Sequence, residues 1–342
     1  NRSAAHQRYG FSTPSSPRRA HTAHREPAYL QVSPSAALRA SQWVSLGFST
    51  GMLYFPTKMM EAYKAETFEG DAATLFTFAL GIFGLQLFLS SMMAAAMARD
   101  AVPKHVQSLS CFCQGLGWLF FALNDGALYA RGLWPHAMPP ESLQVNLGIF
   151  VALAAICFSG WAEGGYEVPD MGVLPEGRPA LPLVVACANL LFFGVGCAFF
   201  TEAFVDLFLP GVLQSLPAPT TSARGFFSTK EVPAGPLEGA PPLLLLIFAN
   251  AGKCILVNIA SLLSIASVGD ETVAYRLLRV VSLANVFYLG MFSREGVLAV
   301  ATGWPSPMRL STFVQCFGTT YYCCASFAGM PFTLLQEGRK AK

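Results

Sequence analysis

The sequence predicts an all-α polytopic membrane protein of about eight transmembrane helices, built as a tandem parallel duplication of a four-helix module. Three observations predict it. Of the 342 residues 53% are hydrophobic and only 12% charged, about half the charge of an ordinary soluble globule. Long stretches lack Asp, Glu, Lys, Arg and His, and they reach the ~20 residues a membrane helix needs. They carry no period-two alternation, which disfavours barrel strands. The third observation is an internal repeat. The composition excludes a soluble enzyme and a disordered regulator. A net charge of +2 excludes a nucleic-acid binder working through a basic face.

The expected spans follow the charge-free stretches in order. The first, 40–57, is closed by Lys58 and Glu61, and 72–98, 106–124, 142–162 and 179–201 follow. The sixth joins 239–252 to 254–269 across Lys253, the seventh is about 273–292 despite Arg276 and Arg279, and the eighth is 310–336. The first and seventh are the most polar.

The repeat aligns Gly51–Tyr63 with Gly196–Phe208 at an offset of 145 residues. Gly84 then matches Gly252 at 168, and Asp100, Trp134 and Met138 match Asp270, Trp304 and Met308 at 170. The change of offset places about 24 extra residues in a Pro/Gly/Ser/Thr-rich stretch before the sixth helix. The expected organisation is a basic Ser/Arg/Pro-rich tail at 1–39, module 1 at 40–163, a linker at 164–180, module 2 at 181–330 with the insertion at 210–240, and a C-terminal tail at 331–342. Four helices per copy is an even number, so both copies enter from one side, unlike an inverted repeat. Twelve Lys/Arg share a side with the termini and six lie opposite, which puts both termini on the stromal, matrix or cytosolic side. The Arg-rich, acid-poor tail resembles an organellar transit sequence or its remnant. Neither tail nor insertion can offset its own ordering entropy, so both are expected to lie across neighbouring subunits.

Chemistry is sparse. The nine Cys all lie in apolar stretches without a C-x-x-C pair, as packing residues do, and no metal site is expected. No His falls at mid-depth, which argues against haem. Gly47-Phe48-Ser49-Thr50-Gly51 matches a hydrolase elbow, but with no His base it reads as a G-x-x-x-G helix contact, and Gly160/Gly164 invites the same reading. Charge within a span is expensive. Lys253, ten residues into its helix, and Glu202 on the preceding one are expected to form an intramembrane ion pair, with Asp125 as the second-choice partner. Asp125 itself is taken to lie one to two turns from the outer end of its helix and is discounted with the charges at helix ends. The amides Asn124, Gln86, Asn189 and Asn250 are expected to glue helices or to hold chlorophyll magnesium through oxygen.

With no catalytic constellation, the expected function is a non-enzymatic scaffold or accessory subunit of a large organellar membrane complex. A photosystem or its antenna assembly is favoured, with the thylakoid ahead of the mitochondrial inner membrane. Its partners would be neighbouring membrane subunits and lipids, with chlorophyll and carotenoid contacts and no nucleic acid. The alternatives are a respiratory-chain accessory subunit, or a transporter or channel using Lys253 and Glu202.

Overall fold

The computed structural model describes residues 31–62, 70–130, 140–166, 180–208, 223–224, 231–232, 242–266, 271–294, 297–303 and 309–310. The helices are α1 (Pro34–Tyr54), α2 (Pro56–Ala62), α3 (Gly70–Met97), α4 (Lys104–Ala130), α5 (Pro140–Glu163), α6 (Ala180–Phe199), α7 (Thr201–Phe208), α8 (Pro242–Ala266), α9 (Glu271–Phe292) and α10 (Val297–Thr302). Two strands of two residues each, β1 (Ala223–Arg224) and β2 (Glu231–Val232), pair antiparallel within the Pro-rich insertion, with Ala223 opposite Val232. That insertion was expected to be wholly irregular.

Local chemistry sets the helix ends. Ser33 caps α1, its hydroxyl accepting from the Ala36 amide at 3.3 Å, and Pro34 occupies the first turn, where its missing N–H costs nothing. The helix ends at Phe55 because Pro56 disfavours a helical residue before it. The chain restarts at once as α2, with the Met59 amide donating to the Phe55 carbonyl at 3.0 Å. On the α2 surface Lys58 donates to Glu61 Oε2 at 2.8 Å. The same break recurs at Phe200, where the Phe204 amide donates to the Phe200 carbonyl at 2.7 Å and α7 turns away from α6 by 118°.

Consecutive long helices fold back on one another as hairpins: α1 with α3, α4 with α5, and α6 with α8. Two of these hairpins are closed by the same contact. A Cβ on Gly84 of α3 would lie 2.8 Å from Met52 Cβ on α1, and one on Gly252 of α8 would lie 2.4 Å from the Ala198 nitrogen and 2.7 Å from Cys197 on α6. Met52 and Cys197 are separated by the same 145 residues that separate Gly51 from Gly196. Gly51 in turn faces Met59 and Gly196 faces Phe204. The two hairpins therefore share a build: helix, break at Phe, short helix, and a return helix seated through a glycine. Such close backbone approach lets dispersion act between helices that gain little from the hydrophobic effect in lipid.

Among the described residues, five helices are long and apolar enough to cross a membrane, or six if the bent α6–α7 pair is one span. The expected count of eight is not reached. Helix α1 has 21 residues but is not among the five, because Arg39, Gln42 and four serines lower its hydropathy. Its buried face carries Ser41, Ser45 and Ser49, one turn apart. The expected eighth span, the tail up to residue 30 and the repeat matches at Trp134, Asp270 and Trp304 lie outside the described residues.

The burial pattern separates the centre from the rim. The most apolar windows of α3 and α8 are 78% and 72% buried, whereas that of α5 is 28% buried. Helix α8 packs on both α3 and α4, so these three form the middle of the bundle. Outward-facing Trp43, Leu119, Phe120, Leu123, Val151, Phe192 and Val286 are exposed, an apolar surface suited to lipid rather than water. Gly47 has nothing within 4 Å, so the expected G-x-x-x-G contact in α1 is made at Gly51 alone, while Gly160 and Gly164 both sit against neighbours, at Ala37 and Ser108.

Gly252→Ala should lower the detergent melting temperature, with overpacking costing about 1–3 kcal/mol, because backbone of α6 occupies the space. Gly290→Ala, with nothing within 4 Å, should melt with the parent protein.

Candidate functional site

Polar side chains scattered along the sequence converge between α1, α3, α4 and α8. Ser41 donates to Gln114 Oε1 at 2.8 Å and accepts from Trp118 Nε1 at 2.8 Å. Gln114 Nε2 approaches the Ser90 carbonyl at 3.4 Å, and the Ser90 hydroxyl donates to Asn258 Oδ1 at 2.6 Å. Asn258 Nδ2 then donates to the carbonyl and Oε1 of Gln86, at 3.0 and 3.1 Å. Every member is buried. A buried polar chain is tolerable only when its members satisfy one another, and this one ties four helices together.

One turn further along α8 a second cluster begins. Lys253 stands near the middle of that 25-residue helix. Its Nζ donates to Asn124 Oδ1 on α4, and Asn124 Nδ2 donates to Asn250 Oδ1 at 2.6 Å. Asn250 and Lys253 are three residues apart, so they share a face of α8, and Asn124 bridges both. Asp125 is 4% exposed, and its Oδ1 has no hydrogen-bond partner.

Between the two clusters lies a cavity of about 20 Å³, room for one water-sized group. Lys253, Ser45, Ser90 and Gln114 supply its polar lining, and Trp118 and Phe121 supply aromatic walls. The Ser45 hydroxyl, 1% exposed, has no partner. An ammonium has three protons to donate, and Lys253 uses one within the protein. The aromatic walls are held from behind: Phe150 of α5 stacks on Trp118 at 5.7 Å and meets Phe121 at 5.6 Å. The cavity thus joins a fixed positive charge, an unused hydroxyl and rigid apolar walls. Such a lining attracts an anion, and its ammonium repels a cation. Among the described residues no group of three His, Cys, Asp or Glu could hold a metal.

The expected site residues fare unevenly. Lys253 is at mid-depth, as its position in the run implied. Glu202 does not meet it: α7 turns away after Phe200, leaving Glu202 exposed on α7, and Lys253 takes an amide instead of a carboxylate. The oxygens of Asn124, Asn250 and Gln86, which a magnesium would need, already accept hydrogen bonds from protein donors. The side chain of Asn189 lies outside the described residues. Asp125 was set aside because it lies one to two turns from the end of its helix; α4 does end soon after, at Ala130, yet Asp125 is only 4% exposed. Ser45 gave no signal of its own, but the four-residue spacing of Ser41, Ser45 and Ser49 marks one helix face and could have found it.

A family model described as SLAC1, voltage-dependent anion channel, matches residues 26–229. The chain belongs to this family. No curated protein and no solved structure matches it. Membership overturns the expectation of a photosystem scaffold or accessory subunit, along with its chloroplast setting. That expectation rested on the low polarity of each helix taken singly. Folding gathers the polar groups of four helices onto one seam, which is what an ion path needs.

Asn258→Leu should weaken the fold by about 0.6–1.7 kcal/mol, the range for interhelical hydrogen bonds in membranes. A lowered midpoint of thermal unfolding in detergent would register it, and an unchanged midpoint would show that the seam does not hold the helices.

Proposed function

We propose that this protein carries small anions across a membrane, as a channel or carrier and without enzymatic chemistry, and that the anions pass Lys253. Family membership supports the anion, and one observation supports the place: a lone lysine at mid-helix beside a cavity with an unused hydroxyl. The family match ends at residue 229, before α8, so the role of Lys253 rests on geometry.

The electrostatics favour this reading. Burying an ammonium costs several kcal/mol, and a single amide acceptor offsets only part of that. A transient anion in the cavity supplies the missing partner. At ~4 Å and an effective dielectric constant of ~20 the attraction is about 4 kcal/mol, strong enough to draw the ion in and weak enough to release it. The excess of Lys/Arg on the side of the termini supports placing the start of α1 on the cytosolic or equivalent side.

Chloride or nitrate efflux from proteoliposomes tests the reading. Lys253→Met should slow efflux by about tenfold or more, in keeping with the attraction lost, and Lys253→Arg should keep most of it. Equal rates for Lys253→Met and the parent would remove Lys253 from the path. No anion flux from the parent protein would remove the function.

A further inference from the structure

We propose that Asp125 takes up a proton when an anion occupies the cavity at Lys253, so that anion passage is coupled to proton passage; this rests on the anion path proposed above. Three observations carry it. Asp125 is 4% exposed and its Oδ1 has no hydrogen-bond partner. Its helix does not stop at it, since Gly126 after it is half-buried and α4 runs on to Ala130. Its neighbour in the chain, Asn124, accepts the hydrogen bond from Lys253, which sets the two charges on adjoining helices, with no ion pair between them among the described residues.

Charge balance does the rest. With the cavity empty, the lysine ammonium and the aspartate carboxylate sum to zero. A monovalent anion beside Lys253 neutralises the ammonium and leaves the carboxylate as an uncompensated buried charge, which costs several kcal/mol. Transfer of a proton from water to the free Oδ1 restores neutrality, forming an O–H bond and leaving one anion and one proton bound together. The coupling is reciprocal by linkage: protonation of Asp125 releases Lys253 from its carboxylate neighbour and strengthens anion binding. The pair then moves as an electroneutral unit.

The surroundings leave these two charges to each other. From α8 the charged group on the side of Asp125 is Lys253, which donates to the adjacent Asn124, and Asn124 in turn donates to Asn250. Helices α1 and α3 bring no ionisable side chain level with it among the described residues. Helix α5 brings Glu141 at its start, whose side chain lies outside the described residues. Arg39, Cys157 and Glu163 belong to the other half of the bundle, where Ser108 donates to the Trp161 carbonyl and Cys111 to that of Pro34.

Proteoliposomes holding the full chain, a pH-sensitive dye and equal potassium on both sides with valinomycin test it, with chloride as the probe. An outward chloride gradient should raise the internal pH as protons leave with chloride, at about one proton per chloride. Asp125→Asn should give chloride efflux with no pH change. Chloride efflux at constant internal pH in the parent protein would overturn the coupling and leave the anion path standing. Persistent proton movement in Asp125→Asn would overturn the role of Asp125. Absence of any chloride efflux in the parent would sink the path and the coupling together. The measurement on the parent protein needs no variant, so a poorly folding Asp125→Asn would not shield the proposal.

Discussion

Lipid offers a polar side chain no partner, so every amide, hydroxyl and charge inside this bundle has to find one on another helix. That constraint organises the molecule. The chain from Trp118 through Ser41, Gln114, Ser90 and Asn258 to Gln86 fixes the rotation of α1, α3, α4 and α8 about their axes, since apolar packing alone would tolerate several. Where the pairing stops short, at Ser45 and Lys253, unspent donors border a cavity, and Asp125, next in the chain to the amide that Lys253 bonds, keeps a bare carboxylate oxygen. The same rule that holds the helices together thereby marks where something else is expected to enter.

Rigidity at that place comes from the hairpins behind it. Gly84 and Gly252 bring α3 and α8 into contact with α1 and α6 at backbone distance, so the two most buried helices are each held from outside as well as from within. Phe150 stacked on Trp118 fixes the cavity wall through a third hairpin. A site whose walls hardly move can reject ions by size, and its single charge can remain near the bilayer centre because its hydrogen bond to Asn124 is kept in place.

Particular residues show where sequence reading succeeded and where it could not. Lys253 stood out in the sequence, because a cation in the middle of an apolar run needs a partner, though a structural ion pair was the plainer reading. Glu202 was paired with it on the assumption that α6 continues straight, but no proline marks the bend at Phe200, which depends on the Phe204 ring settling on Gly196. Asp125 was discounted because it lies within one to two turns of its helix end. The helix does end there, at Ala130, but burial is set by the neighbouring helices, and Asp125 is enclosed all the same. The scaffold expectation failed for a related reason: polarity was judged helix by helix, while Ser41, Ser90, Gln114 and Asn258 act only as a set.

By itself the sequence determined the solvent and the secondary structure. Apolar runs of membrane length force helices and lipid surroundings, and the recurrence of Gly, Phe and acidic residues 145 residues apart marks the matching helix breaks at Phe55 and Phe200, because these are local properties of composition and spacing. Tertiary structure decided which polar groups meet. Residues as far apart as Gln86 and Asn258, or Asn124 and Lys253, are brought together by helix rotation and by the bend at Phe200, and no local pattern encodes either. The meaning of Lys253 changed accordingly, from half of an ion pair to the positive wall of a cavity.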